Sequence, residues 1–453
     1  MTFNSKSTTV ETKLLNSTNW ALFQPRLICY WPFLIYESNQ GLKQVHFRYL
    51  WNIRILISLI FLLCGILYLV YCGKINAEAY LQNDSLLAFD VYCVVIWEII
   101  LITSEISIRI YGLLNSNKFV QFWGNIVELV GTYFELSSSH PEVENGLEQI
   151  NKWAKRWTLF TSTLISFHLG CFIYPYIFQS DIRKDEDLFQ ALMNIYMEVA
   201  VCSVAPNVMF LIYFVKILIL GFDVISKNIQ EMTKLHIDRE KVKLVFSKAN
   251  NPKQNLNTCF LSEINQEEWV NIEWSGKLNI INRLDKSVER FNAQFGIPLL
   301  GVVITTMAQV IFALYFCYAD PRMGEFTWAV SLISPLILCP FTLVALCFSA
   351  SELGEKCDGV LRQLQEIPAN CLNQGDQWLP LDAFLTLTTD GMVLQVQLIV
   401  TRLSAKGMGV YVGRLFQIRA ALLTSAVSTF ATYFIIIIQM RIGSQSAKLN
   451  HSH

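Results

Sequence analysis

The sequence predicts an all-α membrane protein of seven transmembrane helices, with a cytoplasmic N-terminus, an extracellular C-terminus and cytoplasmic helical extensions forming an anchor region. Composition, apolar runs and the sidedness of basic residues each point there. Of 453 residues, 53% are apolar and only 16% charged, against about 25% charged in ordinary soluble chains. A formal net charge of -1 gives no electrostatic case for nucleic-acid binding. The length would fit two or three soluble domains. The recurring apolar runs instead predict one membrane domain, since a span needs about 20 mostly apolar residues.

Seven stretches qualify: roughly 55–73, 86–106, 157–178, 193–220, 297–318, 326–349 and 417–440. The first, third, fifth and sixth contain no Asp, Glu, Lys or Arg, and the last has only Arg419 at its inner edge. The second carries Asp90, Glu98 and Glu105, and the fourth carries Glu198 and Lys216. Residues 1–54 contain no apolar core of a cleavable signal and read as a cytoplasmic segment. The expected layout is then six helices over 55–349 with cytoplasmic loops 112–156 and 221–293, an anchor segment 350–416, a last helix 417–440 and a short tail 441–453.

Lys and Arg in short loops set orientation. The face holding residues 1–54, the 112–156 loop and the 350–416 segment has fifteen, and the other face has six. This places the N-terminus inside. The glycosylation sequon at Asn83 and a second at Asn450 then fall outside, whereas a third at Asn16 falls inside. Seven spans of this polarity argue against a G-protein-coupled receptor, whose N-terminus is extracellular. The Asp-Arg-Tyr and Asn-Pro-x-x-Tyr motifs of such receptors are also missing.

Between spans, "KFVQFWGNIVELVGTYFEL" has helical spacing and reads as an extension of the second span. Residues 267–296 place Ile272, Leu278, Ile281, Leu284, Val288 and Phe291 at intervals of three or four or their multiples, a helix leading into the fifth span. Residues 247–258 are polar and turn-rich. "ELGEKCDGVLRQLQEI" and "LTLTTDGMVLQVQLIVTRLSA" read as further amphipathic helices. These extensions could pack together as an anchor or lie as solvated helices. No internal repeat is present, which argues against inverted-repeat transporters.

No enzyme chemistry is visible. The six histidines are scattered, no His/Cys/carboxylate cluster has metal spacing, and Walker, dinucleotide and nucleophile-elbow motifs are missing. No catalytic residue, metal or cofactor is expected. Polar groups inside spans are costly and mark functional positions by default. The outer halves of the spans supply Asp90, Trp97 and Glu98, His168 and Tyr174, Glu198, Gln309, and Trp328 and Ser331. Together they could line a small-molecule pocket open to the outside. Each could equally be a hydrogen-bonded interhelical contact or an interfacial aromatic. Glu105 and Arg109, four residues apart, read as a local ion pair.

In the last span, Ser425, Ser428, Thr432, Ile435 and Gln439 follow spacings of 3, 4, 3 and 4, one stripe along a helix. Small hydroxyls suit a tight interhelical seam, whereas a water-filled conduit would suit Gln439 better. A conduit with one such helix per subunit requires a closed oligomer.

"TYFIIIIQM" (Thr432–Met440) resembles the Thr-Tyr, five-apolar, Gln-Phe signature in the last helix of insect gustatory receptors, with Met440 where the family usually has Phe. The preceding "RLSAKGMGVYVGRLFQIRAALLTSAVSTFATYF" is similar to the family's amphipathic segment followed by a helix. The resemblance implies a tetrameric, ligand-gated, non-selective cation channel in the plasma membrane of chemosensory neurons, opened by an external tastant such as a sugar, a bitter compound or carbon dioxide. It implies homo- or hetero-tetramers with other gustatory receptor subunits. Thr432, Tyr433 and Gln439 match the motif, and Gln439 and Met440 are assigned to the constriction. An insect odorant receptor subunit is the nearest alternative, and a metabotropic seven-helix receptor a more distant one.

Overall fold

The computed structural model describes residues 5–27, 50–80, 85–136, 140–178, 188–249, 256–319, 326–372, 396–404, 407–413 and 415–451. The order is α1 (Ser5–Leu27), α2 (Leu50–Tyr80), α3 (Ser85–Leu114), α4 (Ser116–Leu136), α5 (His140–Phe178), α6 (Leu188–Ala249), α7 (Leu256–Ala319), α8 (Phe326–Leu372), α9 (396–404), a β1–β2 hairpin and α10 (Ala421–His451). Among the described residues, five helices are long and apolar enough to cross a bilayer, and a shorter apolar stretch covers Leu56–Tyr71. In α3, Glu98, Glu105 and Arg109 interrupt the apolar run.

The helices outrun the membrane. At about 1.5 Å per residue, the 62 residues of α6 and 64 of α7 extend about 90 Å, three times a hydrocarbon core. Both surplus lengths lie beyond the same ends of the spans, where the hairpin also sits. On α7 the expected repeat buries Leu278, Ile281, Leu284, Val288 and Phe291; the side chain of Ile272 lies outside the described residues. On α8, Leu353, Cys357, Val360 and Leu364 continue the buried face past the span.

Between α3, which ends at Leu114, and α4, which begins at Ser116, one turn residue intervenes, and helical bonds cross it: Asn115 N–H donates to the Tyr111 carbonyl and Phe119 N–H to the Asn115 carbonyl, both at 3.0 Å. Along α4, Phe119, Phe122, Trp123, Ile126, Leu129, Val130 and Tyr133 are buried against the bundle. The last helix starts at Ala421 rather than 417, because Gln417 belongs to β2, and it runs on through the expected tail to His451.

The core at the hairpin end is aromatic. Phe122 meets Phe214 edge-on at 5.1 Å and Phe295 at 5.5 Å, and Phe210 meets Phe214 at 4.9 Å. Edge-on pairs of this kind contribute about 0.5–1.5 kcal/mol each beyond area burial. Against α6 lies α1, which buries Leu14, Ala21 and Leu22. Its Ser17 and Thr18 hydroxyls lie 2.8 and 2.6 Å from the Tyr213 hydroxyl. A second core near the opposite end joins Tyr68, Trp97, Tyr196, Val201, Phe312, Tyr315 and Leu332 from five helices.

Candidate functional site

Three helices bring His168, Glu198 and Gln309 together around α6. His168 Nε2 lies 2.6 Å from Glu198 Oε2, with the imidazole fully buried. Cys202, one turn along α6 from Glu198, is within hydrogen-bond reach of His168. Gln309 Oε1 accepts from the Cys339 thiol at 2.5 Å, and its Nε2 reaches toward the Val201 carbonyl at 3.5 Å. This polar cluster joins α5, α6, α7 and α8 beside the second core.

A second cluster joins α2, α3 and α6. Tyr68 donates to Glu98 at 2.7 Å, Tyr196 donates to Glu105, and Arg109 Nε donates to Glu105 at 2.5 Å. The guanidinium carbon lies 4.4 Å over the Phe61 ring. The sequence-level ion pair is therefore also an interhelical junction. A cavity of about 10 Å³, room for one water, lies beside Glu105 between α3, α6 and α7.

Trp97 packs on Phe316 at 5.9 Å in the second core, and Tyr174 is exposed. The side chains of Asp90, Trp328 and Ser331, and the sequon at Asn83, lie outside the described residues. Tyr68, Tyr196, Cys202 and Cys339 were missed. Each lies in an apolar run, and only the crossing of two helices reveals its partner.

The last helix sits differently from the rest. Only 6% of its apolar window is buried within the chain, against 83% for α6. Ala426 is buried and Leu422, Phe430, Phe434 and Ile437 are half-buried, and the helix meets α3, α7 and α8. Ser425, Ser428, Thr432, Ile435, Gln439, Tyr433 and Met440 are all left uncovered. The Thr432 hydroxyl bonds the Ser428 carbonyl at 2.8 Å, which satisfies its proton within the helix and leaves oxygen lone pairs on that face.

A hairpin ties this helix to the bundle. Tyr411 pairs with Gln417 and Val412 with Phe416. Gly413 turns the chain at φ 53°, and its N–H donates to the Gly296 carbonyl of α7 at 2.9 Å. Asn292 acts as a substitute strand: its Nδ2 donates to the Gly409 carbonyl at 2.8 Å and its Oδ1 accepts from Tyr411 N–H at 2.9 Å. One residue before α10, the Ala420 N–H donates to Ser351 of α8 at 2.7 Å. Nothing in the short strand pair has the alternation that marks a strand in sequence.

The profile of the family described as 7tm Chemosensory receptor matches residues 27–443. Among solved structures, the chain is similar to the insect olfactory receptor OR5 from Machilis hrabei in complex with eugenol. The TM-score is 0.58 at 12% identity, covering 96% of this chain and 100% of that one. The same receptor described without eugenol gives 0.57 at 13%, covering 93% and 97%. No curated protein matches the chain.

Proposed function

The chain belongs to the 7tm chemosensory receptor family, a multi-pass membrane family of receptors and not of enzymes, and from that premise we propose that it is a gustatory receptor acting as a ligand-gated cation channel. The carrying observation is α10: an apolar helix, almost uncovered by its own chain, bearing a stripe of Ser425, Ser428, Thr432 and Gln439 interrupted only by Ile435. A lone helix cannot enclose a path for ions, so the reading requires a closed ring of copies, a tetramer of this chain alone or with related subunits. In such a ring Ser425, Ser428 and Thr432 line the vestibule, Ile435 forms an apolar collar that gates by dewetting, and Gln439 and Met440 form the constriction. The N-terminus is cytoplasmic in this reading, and the cell is a chemosensory neuron.

The ligand enters beside the second core, where Trp97, Tyr196, Phe312 and Tyr315 supply apolar surface and Glu98, His168, Glu198 and Gln309 supply polar groups. An aromatic or polyhydroxy tastant suits that mixture, carbon dioxide less so. Glu198→Gln removes the charge facing His168 while keeping the shape. Hydrogen bonds to charged groups contribute about 1.5–3 kcal/mol, so the half-maximal tastant concentration is expected to rise about tenfold or more in concentration–response recordings.

The odorant-receptor reading has equal support from the fold, and the Thr-Tyr…Gln signature of α10 favours taste. The experiment is whole-cell recording of the expressed chain, with G-protein signalling blocked, under sugars, bitter compounds, bicarbonate with carbon dioxide, and volatile odorants. A cation current that survives the block and changes permeation in Gln439→Ala is the expected result. A response confined to odorants would reassign the receptor to smell, and one abolished by the block would make it metabotropic.

A further inference from the structure

Where α5 enters the membrane, a groove of about 440 Å³ opens between α5 and α8. Its wall is a ladder of rings. Trp153 and Trp157 are stacked at 6.2 Å and 18°, and Trp157 and Phe341 at 4.9 Å and 13°. Lys152 and Arg156 line its rim, both exposed, and Gln149 stands where a carboxylate could have been. Lys216 of α6 approaches from behind, with Nζ 5.2 Å from the Trp153 ring. Glu148 engages Lys152 at 2.8 Å. Among the described residues, Arg156 and Lys216 have no carboxylate within ion-pair distance. The rim is thus cationic, with no acidic residue lining the groove.

The groove lies at the hydrocarbon boundary. Lys152, Lys155 and Arg156 end the charged part of α5, and residues 157–178 contain no Asp, Glu, Lys or Arg. Away from the rim, uncovered Phe160 and Phe167 on α5 and Phe341 and Ile337 on α8 continue the apolar surface into the bilayer. We propose that this groove holds an anionic phospholipid of the leaflet on that side, its phosphate on Arg156 and Lys152 and its acyl chain along the α5–α8 seam. In the orientation proposed above, that leaflet is cytoplasmic, where anionic lipids are concentrated. The rings set the depth of the glycerol region, the usual place of interfacial tryptophan. A zwitterionic lipid offers the same chain but no net negative charge to a rim where Lys152 shares Glu148 and Arg156 has no carboxylate within ion-pair distance among the described residues.

The two tryptophans of the wall report occupancy directly. The full-length chain is reconstituted in phosphatidylcholine vesicles doped, at equal mole fraction, with bromine-chain phosphatidylglycerol or bromine-chain phosphatidylcholine. Quenching lost in Trp153→Phe/Trp157→Phe isolates the groove signal. The expected result is severalfold stronger groove quenching by the anionic lipid. Apparent affinity should fall about fivefold for each cation removed in Lys152→Gln and Arg156→Gln, and stay unchanged in Lys155→Gln, whose exposed amine faces the Trp20 ring. Equal quenching by both lipids would overturn the proposal. So would an anionic preference untouched by the Lys152 and Arg156 variants, which would mean a general surface field. Since the readout needs neither tastant nor current, its failure is distinguishable from failure of the channel reading.

Discussion

Glu105→Leu is expected to leave little folded receptor. Arg109 is fully buried, and its nearest anion is Glu105. Taking the carboxylate away removes the anion bonded to the Arg109 guanidinium in a low-dielectric interior, and the Phe61 face is a poor substitute for it. It also removes the acceptor that Tyr196 uses to tie α6 to α3. Breaking a buried pair from one side costs about 3–5 kcal/mol, a large share of the about 5–15 kcal/mol by which domains are stable. Size-exclusion profiles of detergent extracts should shift to aggregate, and the thermal midpoint of any folded fraction should drop well below wild type. Glu105→Leu/Arg109→Met should recover much of the loss, since a buried pair replaced by apolar residues of similar volume is often neutral. Arg283→Gln, which breaks an exposed pair with Glu128, should change little. If the double variant were no better than Glu105→Leu, the cost would lie in the Tyr196 hydrogen bond or in packing rather than in the broken ion pair.

The same pair shows what sequence can and cannot reveal. Spacing of four in an apolar run discloses Glu105 with Arg109, because both partners lie on one helix. The partnerships with Tyr196 and Phe61 depend on how three helices cross, which no periodicity encodes. Apolar runs between charges give most spans, and the repeat on α7 gives its buried face, because one-sided burial selects residue type every three or four positions. α1 is opaque for the opposite reason: its buried face includes Ser17 and Thr18, made acceptable by the Tyr213 hydroxyl and by the Leu14 carbonyl, to which each donates. The stripe on α10 was legible because its residues share one face, and that face is uncovered. The candidate pocket residues lie in different surroundings. His168, Glu198 and Gln309 converge, while Trp97 serves the second core and Tyr174 turns outward.

Gly296→Val should produce a receptor that folds and binds but conducts poorly. A Cβ at Gly296 would sit 3.1 Å from the Gly413 nitrogen and 3.4 Å from its Cα. Both are backbone atoms, so no side chain can swing aside. Gly413 cannot readily adjust either, because it is held at φ 53°, a region costing other residues about 1–2 kcal/mol. The hairpin must therefore lift from α7, stretching the Gly413 N–H bond to the Gly296 carbonyl and the paired bonds of Asn292. The polar cluster at Gln309 lies thirteen residues, about 20 Å, farther along the same helix, with Pro298 between them. Proline within a helix removes a backbone bond and permits a bend, so α7 has a pivot between the proposed ligand site and the hairpin that leads into α10. In our reading this is the route by which tastant binding moves the pore helix. Surface expression and tastant affinity should stay near wild type in Gly296→Val, while maximal current falls about tenfold or more. Gly296→Ala should fall between, because a single methyl needs a shift of only a few tenths of an ångström. Gly413→Ala, which disturbs the junction from the hairpin side by its φ instead of by contact, should reproduce the Gly296→Val phenotype. Loss of tastant affinity together with current would make the hairpin a support for the whole bundle and remove it from the coupling route. Wild-type current in Gly296→Val would mean that α10 takes its signal through α3 or α8, the other helices it touches.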